Sequence, residues 1–222
     1  MFNYRDIGGH PVPGGRLRPG LLFRSNAVVD LDADQVAALG IRTAIDLREP
    51  GERDHEPATL GTAVVHVLPV IDGDPSAPYT LRGFTHWVIE HRGAAFAEAV
   101  RTLAHADLPA VFFCSSGKDR TGMLAGLLLS ALGVADEAVI EDYARTERLM
   151  PESYFELALA RSRRAGLPEG SRVDDLGSPP ELMATVLGDV ADRHGGAAAY
   201  LLDHGLQTAD LDRLRARLVE PD

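Results

Sequence analysis

The sequence predicts a single α/β domain with a small, largely parallel central sheet flanked by many helices and a helix-rich C-terminal half. Three observations predict it. The short apolar run 110–113 leads through a small-residue loop into the apolar stretch 123–132, a pattern of strand, loop and helix. Helix and strand patterns alternate before that point, as they do in α/β proteins. Beyond residue 135 the patterns are almost all helical, and no linker divides residues 1–222.

Size and charge restrict the classes of protein to consider. A chain of 222 residues can bury a substantial core, and its net charge of −11 disfavours binding to nucleic acid or anionic membranes. The single cysteine excludes an internal disulfide and a cysteine-rich zinc site. Because the N-terminus lacks an apolar signal segment and no run approaches a membrane span, we expect a cytoplasmic protein without stable membrane insertion.

The N-terminal region begins with turn signals and continues with a strand and a helix. Residues 2–20 are rich in Gly, Pro and Arg and predict an arm or a small hairpin. Residues 21–23 predict a short strand. Asp32 and Gln35 form a capping pattern that opens a helix, and Gly40 is expected to end it.

Strand signals then alternate with polar segments. Residues 42–47 predict a strand that contains Asp46 near its end, and residues 63–70 predict a further strand. The mixed-charge run 48–56 between them predicts a solvated loop. The turn-rich segment 72–78 holds two carboxylates in D-x-D spacing but no third ligand, so it predicts an exposed Asx turn and no metal site.

Long helices are predicted on both sides of the central apolar run. Residues 80–106 predict helix with a break at Gly93, and Trp87 is expected in the core. The C-terminal helices are predicted over 135 onward, 151–165, 179–194, 197–204 and 208–219.

The segment with the clearest chemical meaning follows the run 110–113. Cys114 is separated by five residues, including Gly117, from Arg120 and Thr121. Backbone N–H groups in such a loop converge on an anion, and the N-terminus of the following helix attracts negative charge. The same field favours the thiolate, which is the nucleophilic form of cysteine. Arg120 provides a planar guanidinium that can bind two phosphoryl oxygens at once.

Composition singles out the same loop, because Cys114 is the only cysteine and Lys118 the only lysine. A lone cysteine at a strand end is commonly a small buried side chain, but the residues at these offsets favour a phosphate site. A nucleotide-binding loop does not fit. Phe112 occupies the place of its first glycine, and Asp119 follows the lysine where Ser or Thr is required.

The stretch 114–122, Cys-Ser-Ser-Gly-Lys-Asp-Arg-Thr-Gly, resembles the signature of the cysteine-dependent tyrosine phosphatases, in the form carried by a bacterial tyrosine-protein phosphatase family. Segments 3–9, 18–25 and 40–48 and the tail 195–218 are similar to the same family, so the resemblance spans nearly the whole chain. It implies a protein-tyrosine-phosphatase-like fold and hydrolysis of phosphoric monoesters through a phosphocysteine intermediate.

The expected mechanism assigns roles within the loop. Cys114 attacks phosphorus, and the loop amides and Arg120 hold the equatorial oxygens. We expect Asp119, which resembles the Asp of the family signature, to be the general acid. Asp46, at a strand end, is the alternative unless it pairs with Arg48, and Asp72 and Asp74 are further candidates with only their loop in their favour. No metal or organic cofactor is required, and inorganic phosphate is the product. The predicted phosphate-binding residues are Ser115, Ser116, Gly117, Lys118, Asp119, Arg120 and Thr121.

Two positions qualify these roles. Thr121 lies where related families place a hydroxyl that bonds the cysteine sulfur, and it also suits a helix cap. Relatives commonly have His directly before the nucleophile, whereas this chain has Phe113. That departure leaves open a pseudophosphatase that binds phosphoproteins. A sulfurtransferase of the rhodanese type also uses a cysteine loop, but the ending 119–122 and the N-terminal segments favour a phosphatase.

Protein phosphotyrosine is the substrate that the family implies, with phosphoserine, phosphothreonine or phosphoinositides in addition. Lys118 lies four residues after Cys114, where phosphoinositide phosphatases also carry lysine, and is expected at the loop rim, able to meet a second phosphate. Relatives have a mobile helical lid in the region corresponding to 151–177, so the resemblance implies a lid over these residues. In this chain that region is apolar near its start and basic over 161–164.

Overall fold

A computed structural model describes residues 1–29, 31–74, 76–164 and 177–222. Its strands in chain order are β1 (Arg5–Asp6), β2 (Pro11–Val12), β3 (Gly15–Leu17), β4 (Leu22–Ser25), β5 (Thr43–Asp46), β6 (Val64–Val67), β7 (Ala110–Phe113) and β8 (Val219–Pro221). The main sheet has the order β1-β4-β7-β5-β6, with β4, β7, β5 and β6 parallel and β1 antiparallel at one edge. The predicted small, largely parallel sheet is confirmed.

Most helices follow the central strand β7. In chain order they are α1 (Ala33–Leu39), α2 (Pro50–His55), α3 (Leu81–His91), α4 (Gly93–His105), α5 (Asp119–Leu132), α6 (Asp136–Leu149), α7 (Glu152–Arg164), α8 (Pro180–His194), α9 (Ala197–Asp203) and α10 (Thr208–Leu218). Almost every residue of α5 is buried, because this apolar helix packs among α4, α6, α8, α9 and α10. No described helix is both long and apolar enough to cross a membrane.

Local signals explain several element ends. Asp32 and Gln35 form the predicted capping box of α1, and Gly40 ends that helix in the left-handed conformation at φ 60°. The predicted long helix 80–106 is interrupted at Arg92, one residue before the expected break at Gly93. Trp87 is buried, as expected.

The prediction of a solvated loop over 48–56 is wrong, because this segment contains helix α2. Pro50 occupies its first turn, and the backbone N–H of Glu49 donates a 2.9 Å hydrogen bond to the Glu52 side chain. Proline at the first helical position and a glutamate three residues after the N-cap are helix-start signals. These helix-start signals lie in a run of mixed charges, and because such runs are commonly loops, the run favoured the wrong prediction.

The chain ends form a second, three-stranded sheet in the order β2-β3-β8. The predicted N-terminal hairpin is confirmed in β2 and β3, whereas the pairing of β8 with β3 was not predicted. In the segment 72–78, Asp74 accepts a 2.8 Å hydrogen bond from the backbone of Ser76, which is the predicted Asx turn.

Candidate active site

Strand β7 delivers Cys114 to the carboxyl edge of the parallel sheet, between the ends of β4 and β5. Residues 114–118 then connect this strand to the N-terminus of α5. Functional residues of α/β folds gather at this edge, and the free N–H groups at a helix start attract anions. Cys114 is only 1% exposed, so its thiol is buried.

Gly117 gives this connection its shape. Its φ of 69° lies in the left-handed region, which favours glycine. A Cβ at this position would also lie 2.3 Å from the backbone oxygen of Ser25, at the end of β4. The loop therefore packs directly on the neighbouring strand, and a larger residue would force both segments apart.

Four buried residues support the loop 114–118 through the Gly117 carbonyl, and we call them the Asp142 clamp. They are Asn3, Arg5, Arg24 and Asp142. The Gly117 carbonyl accepts 2.9 Å hydrogen bonds from Asn3 Nδ2 and Arg24 Nη2. Asp142, on α6, accepts from Arg24 Nη1 at 2.6 Å and from Arg5 Nε at 2.7 Å. The N-terminal segments 3–9 and 18–25 therefore contribute to the loop's support.

The charges of the Asp142 clamp compensate one another. Burial alone would raise the pKa of Asp142, but the positive charges of Arg24 and Arg5 and their hydrogen bonds lower it to about 2. Burial, together with the charge of Arg24, lowers the pKa of Arg5 to about 10. Asp142 and Arg5 therefore remain ionised near neutral pH, and removing the carboxylate would leave two buried guanidinium groups without their counter-charge.

Arg120 forms a bidentate ion pair with Glu52, a residue that the sequence analysis did not single out. The guanidinium donates from Nη1 to Glu52 Oε2 at 2.6 Å and from Nη2 to Oε1 at 2.7 Å. The Ser115 hydroxyl donates to the same Oε1. Burial would raise the pKa of Glu52, but the charge of Arg120 and these hydrogen bonds lower it to about 2. The helix-start signal of α2 was the one sequence feature that could have drawn attention to Glu52.

The structure also brings Cys114 and Arg120 within electrostatic reach. Burial would lower the pKa of Arg120, but the charge and hydrogen bonds of Glu52 raise it well above its usual value. The charge of Cys114 acts in the same direction. Arg120 therefore stays a cation in the first turn of α5, where its guanidinium can bind phosphoryl oxygens.

Lys118 is not an exposed cation at the loop rim, as the sequence suggested. It is 1% exposed, and its Nζ lies 3.5 Å from Asp119 Oδ1. The Asp119 side chain, at the first position of α5, is itself only 15% exposed. Both side chains are therefore largely buried and do not form an exposed rim of the loop.

Asp46 is paired with Arg48, which was the other role foreseen for it. Arg48 donates from Nε and Nη2 to the two carboxylate oxygens at 2.9 and 2.7 Å, and both residues are buried. The Arg48 guanidinium also lies over the ring of Phe113, 5.3 Å from its centroid. The side chain directly before Cys114 therefore belongs to the buried core.

Thr121 does not form the hydrogen bond to sulfur that the resemblance implied. Its hydroxyl is buried, and no partner for it lies among the described residues. Within the same part of the chain, no group of three His, Cys, Asp or Glu side chains is placed to hold a metal ion.

The predicted lid coincides in part with α7. Phe2 packs on Tyr154 of this helix with ring centroids 4.8 Å apart, while Leu157 and Leu159 are exposed. The remainder of the predicted lid, residues 165–176, lies outside the described residues. A lid over 151–177 therefore stays a prediction.

A cysteine at the end of a parallel strand, a left-handed glycine and an arginine at the start of the next helix make a site of the kind found in cysteine-dependent phosphatases. Residues 1–220 match the tyrosine phosphatase family, and the chain belongs to that family. It is an enzyme of the protein tyrosine phosphatase class, a phosphoric monoester hydrolase. The resemblance noted in the sequence is thereby confirmed.

Three relatives show how far the similarity extends. A Cupriavidus necator protein, provisionally named a tyrosine-protein phosphatase, is 33% identical over 188 aligned positions, which cover 75% of this chain and 68% of the relative. A tyrosine-protein phosphatase of Nostoc commune is 27% identical over 210 positions, covering 86% and 70%. The triple specificity protein phosphatase PtpB of Mycobacterium tuberculosis is 26% identical over 269 positions, covering 98% and 96%.

Proposed function

We propose that this protein removes the phosphoryl group from phosphotyrosine in protein substrates, with Cys114 as the nucleophile. The observation that carries the proposal is the placement of Cys114 directly after β7 and of Arg120 in the first turn of α5, joined by the left-handed Gly117 turn at the carboxyl edge of the sheet. A thiolate beside a fixed guanidinium supplies the nucleophile and the charge stabilisation that phosphoryl transfer requires.

In the first step the Cys114 sulfur forms a bond to phosphorus as the ester P–O bond breaks, and the leaving oxygen takes a proton from Asp119. Loop amides and Arg120 hold the equatorial oxygens. In the second step water attacks the phosphocysteine, its proton passes to Asp119, and inorganic phosphate and the Cys114 thiolate are released. Each step is a displacement at phosphorus without change of oxidation state, so the reaction needs no redox cofactor.

Protein phosphomonoesters form the substrate class that we favour. The M. tuberculosis relative is named a triple specificity protein phosphatase, which supports activity on further phosphomonoesters besides phosphotyrosine, and we favour phosphoserine and phosphothreonine. Binding of a phosphoinositide with a second phosphate would be strengthened by an exposed second cation. Lys118 is instead buried beside Asp119. We therefore favour phosphoproteins over phosphoinositides as substrates. A thiol nucleophile needs a reducing compartment, which favours a cytoplasmic location.

Phosphate release from p-nitrophenyl phosphate and from a phosphotyrosine peptide tests this function. We expect catalytic turnover of both substrates without added metal and in the presence of a chelator. A parallel assay for thiocyanate formation from thiosulfate and cyanide should give no signal. Tight binding of the phosphopeptide without turnover would instead identify a phosphoprotein-binding pseudophosphatase.

Asp119→Asn tests the assignment of the general acid. We expect the rate on phosphoserine peptides, whose alkoxide leaves poorly, to fall by roughly 10²- to 10⁴-fold, the usual contribution of acid–base catalysis. The rate on p-nitrophenyl phosphate should fall less, because that leaving group needs little protonation. The pH dependence of kcat should weaken as well.

Asp46→Asn is the matched control, since it makes the same chemical change in a carboxylate held by Arg48. It should lower the free energy of unfolding and leave the ratio of the two substrate rates unchanged. If Asp46→Asn alters that ratio and Asp119→Asn does not, the two roles are reversed.

A further inference from the structure

We infer that Glu52 is a positioning residue that fixes the guanidinium of Arg120 in the orientation needed for phosphoryl transfer. The inference rests on the proposed function. Glu52 lies outside the cysteine loop, 62 residues before Cys114 in the sequence. It comes to the site because α2 follows the end of β5, next to the strand that carries the cysteine.

The Glu52 carboxylate makes two hydrogen bonds on each oxygen. Oε1 accepts from Arg120 Nη2 and from the Ser115 hydroxyl, and Oε2 accepts from Arg120 Nη1 at 2.6 Å and from the Glu49 backbone at 2.9 Å. A carboxylate bound on both oxygens by its own helix and by a planar guanidinium has one well-defined orientation. Arg120 is therefore held by a group that is itself fixed.

Helix α2 is in turn tied to the sheet. Arg48, paired with Asp46 at the end of β5, donates from Nη1 to the Glu56 carbonyl at 2.7 Å, at the C-terminal end of α2. Gly73 donates its backbone N–H to the Glu49 side chain at the other end of the helix. The Asp46–Arg48 pair therefore supports α2, and through it Glu52.

The way Glu52 binds leaves part of Arg120 available. Within the described residues, all hydrogen bonds of the guanidinium use Nη1 and Nη2, toward Glu52 and the Leu47 carbonyl. A guanidinium carries five N–H donors, so the Nε–Nη2 edge retains a pair of donors for two phosphoryl oxygens. Glu52 thus occupies one edge and stabilises the orientation of the other.

A fixed guanidinium matters because misplacing a catalytic group by about 1 Å can cost about 100-fold in rate. A long arginine side chain has many rotamers, and preorganisation removes the cost of ordering it during the reaction. The competing role for Glu52 is that of an internal anion which the substrate must displace from Arg120. The two roles predict opposite effects of neutralising Glu52.

The test compares Glu52→Gln with Asp54→Asn, which changes the same charge on an exposed residue of the same helix. For Glu52→Gln we expect kcat on p-nitrophenyl phosphate to fall roughly 10- to 100-fold, with a parallel loss of affinity for inorganic vanadate, a mimic of the transition state. Asp54→Asn should match the wild type in both measurements. Glu52→Asp, which keeps the charge but has a shorter reach, should lie between the wild type and Glu52→Gln.

A double-mutant cycle separates positioning from a general loss of structure. If Glu52 acts through Arg120, adding Glu52→Gln to Arg120→Lys should lower the rate by less than about threefold, because the group being positioned is already gone. Independent, multiplicative losses would overturn the inference. So would an unchanged kcat in Glu52→Gln, or a gain in vanadate affinity, which is the result expected for a displaced anion.

Controls distinguish a wrong role for Glu52 from a wrong proposed function. Circular dichroism should show that Glu52→Gln and Glu52→Asp fold like the wild type; unfolding of both at 25 °C would overturn the inference, because Glu52 would then serve the fold. If wild-type turnover does not depend on Cys114, the proposed function fails. If it does depend on Cys114 while Glu52→Gln behaves like the wild type, only the role of Glu52 is wrong.

Discussion

Replacing Cys114 with serine is expected to abolish turnover while the protein remains folded. A hydroxyl is a far weaker nucleophile than a thiolate at neutral pH, and loss of the nucleophile in covalent enzymes costs on the order of 10⁵-fold or more in kcat. The substitution is nearly isosteric in a buried position, and the Gly117 turn and Arg120 remain in place. Initial rates with p-nitrophenyl phosphate at equal protein concentration measure the loss.

Binding provides the control for this variant. Cys114→Ser should still bind inorganic phosphate or a phosphotyrosine peptide in calorimetry, since the loop amides and Arg120 are unchanged. Its far-UV circular dichroism should match that of the wild type. Steady-state activity within about tenfold of the wild type, against the 10⁵-fold loss expected for a removed nucleophile, would mean that another residue attacks the substrate.

Asp142→Ala is expected to produce the largest loss of stability among single changes around the loop. It leaves Arg5 and Arg24 buried without their counter-charge, and breaking a buried ion pair from one side typically costs about 3–5 kcal/mol. Urea unfolding followed by circular dichroism measures the free energy of unfolding. The loss should also loosen the loop, because Arg24 binds both Asp142 and the Gly117 carbonyl.

Glu141→Ala is the matched control on the same helix. Glu141 pairs with Arg148 in an exposed ion pair, and such pairs contribute about 1 kcal/mol or less. A loss for Asp142→Ala no larger than that for Glu141→Ala would show that the Asp142 clamp does not stabilise the fold.

The same carboxylate predicts how stability depends on pH. The pKa of Asp142 is about 2 in the folded protein, below its ordinary value near 4 in an unfolded chain. Its stabilising effect is therefore complete above about pH 4 and is lost as the pH falls toward 2. Unfolding of the wild type should be strongly acid-sensitive in this window, and Asp142→Ala should lose part of that sensitivity.

The cysteine loop could be predicted because its chemistry lies in consecutive residues. The spacing from Cys114 to Arg120, the single lysine and the apolar stretches on both sides are all visible in a linear sequence. The strand β7 and the buried helix α5 follow from the same periodicity. Sequence similarity over the N-terminal segments extended that prediction to nearly the whole chain.

The supporting residues could not be predicted, because they meet only in the folded chain. Arg5, Arg24 and Asp142 come from three separate segments, and buried charges are rare enough that the local sequence gives no sign of their burial. Glu52 lies in a run of mixed charges that is typical of a loop, although the run also contains the helix-start signal of α2. The burial of Lys118 depends on how the loop packs, which its sequence position does not reveal.

The most direct test of the mechanism is to trap the phosphoenzyme. Wild-type protein mixed with a phosphotyrosine peptide and quenched in acid within milliseconds should carry a phosphoryl group on Cys114, located by mass spectrometry of the peptide that spans 114–120. The adduct should be absent from Cys114→Ser and more abundant in Asp119→Asn, if water activation is impaired there. Rapid turnover with no adduct on Cys114, or with the adduct on Ser115 or Ser116, would contradict the assignment of the nucleophile.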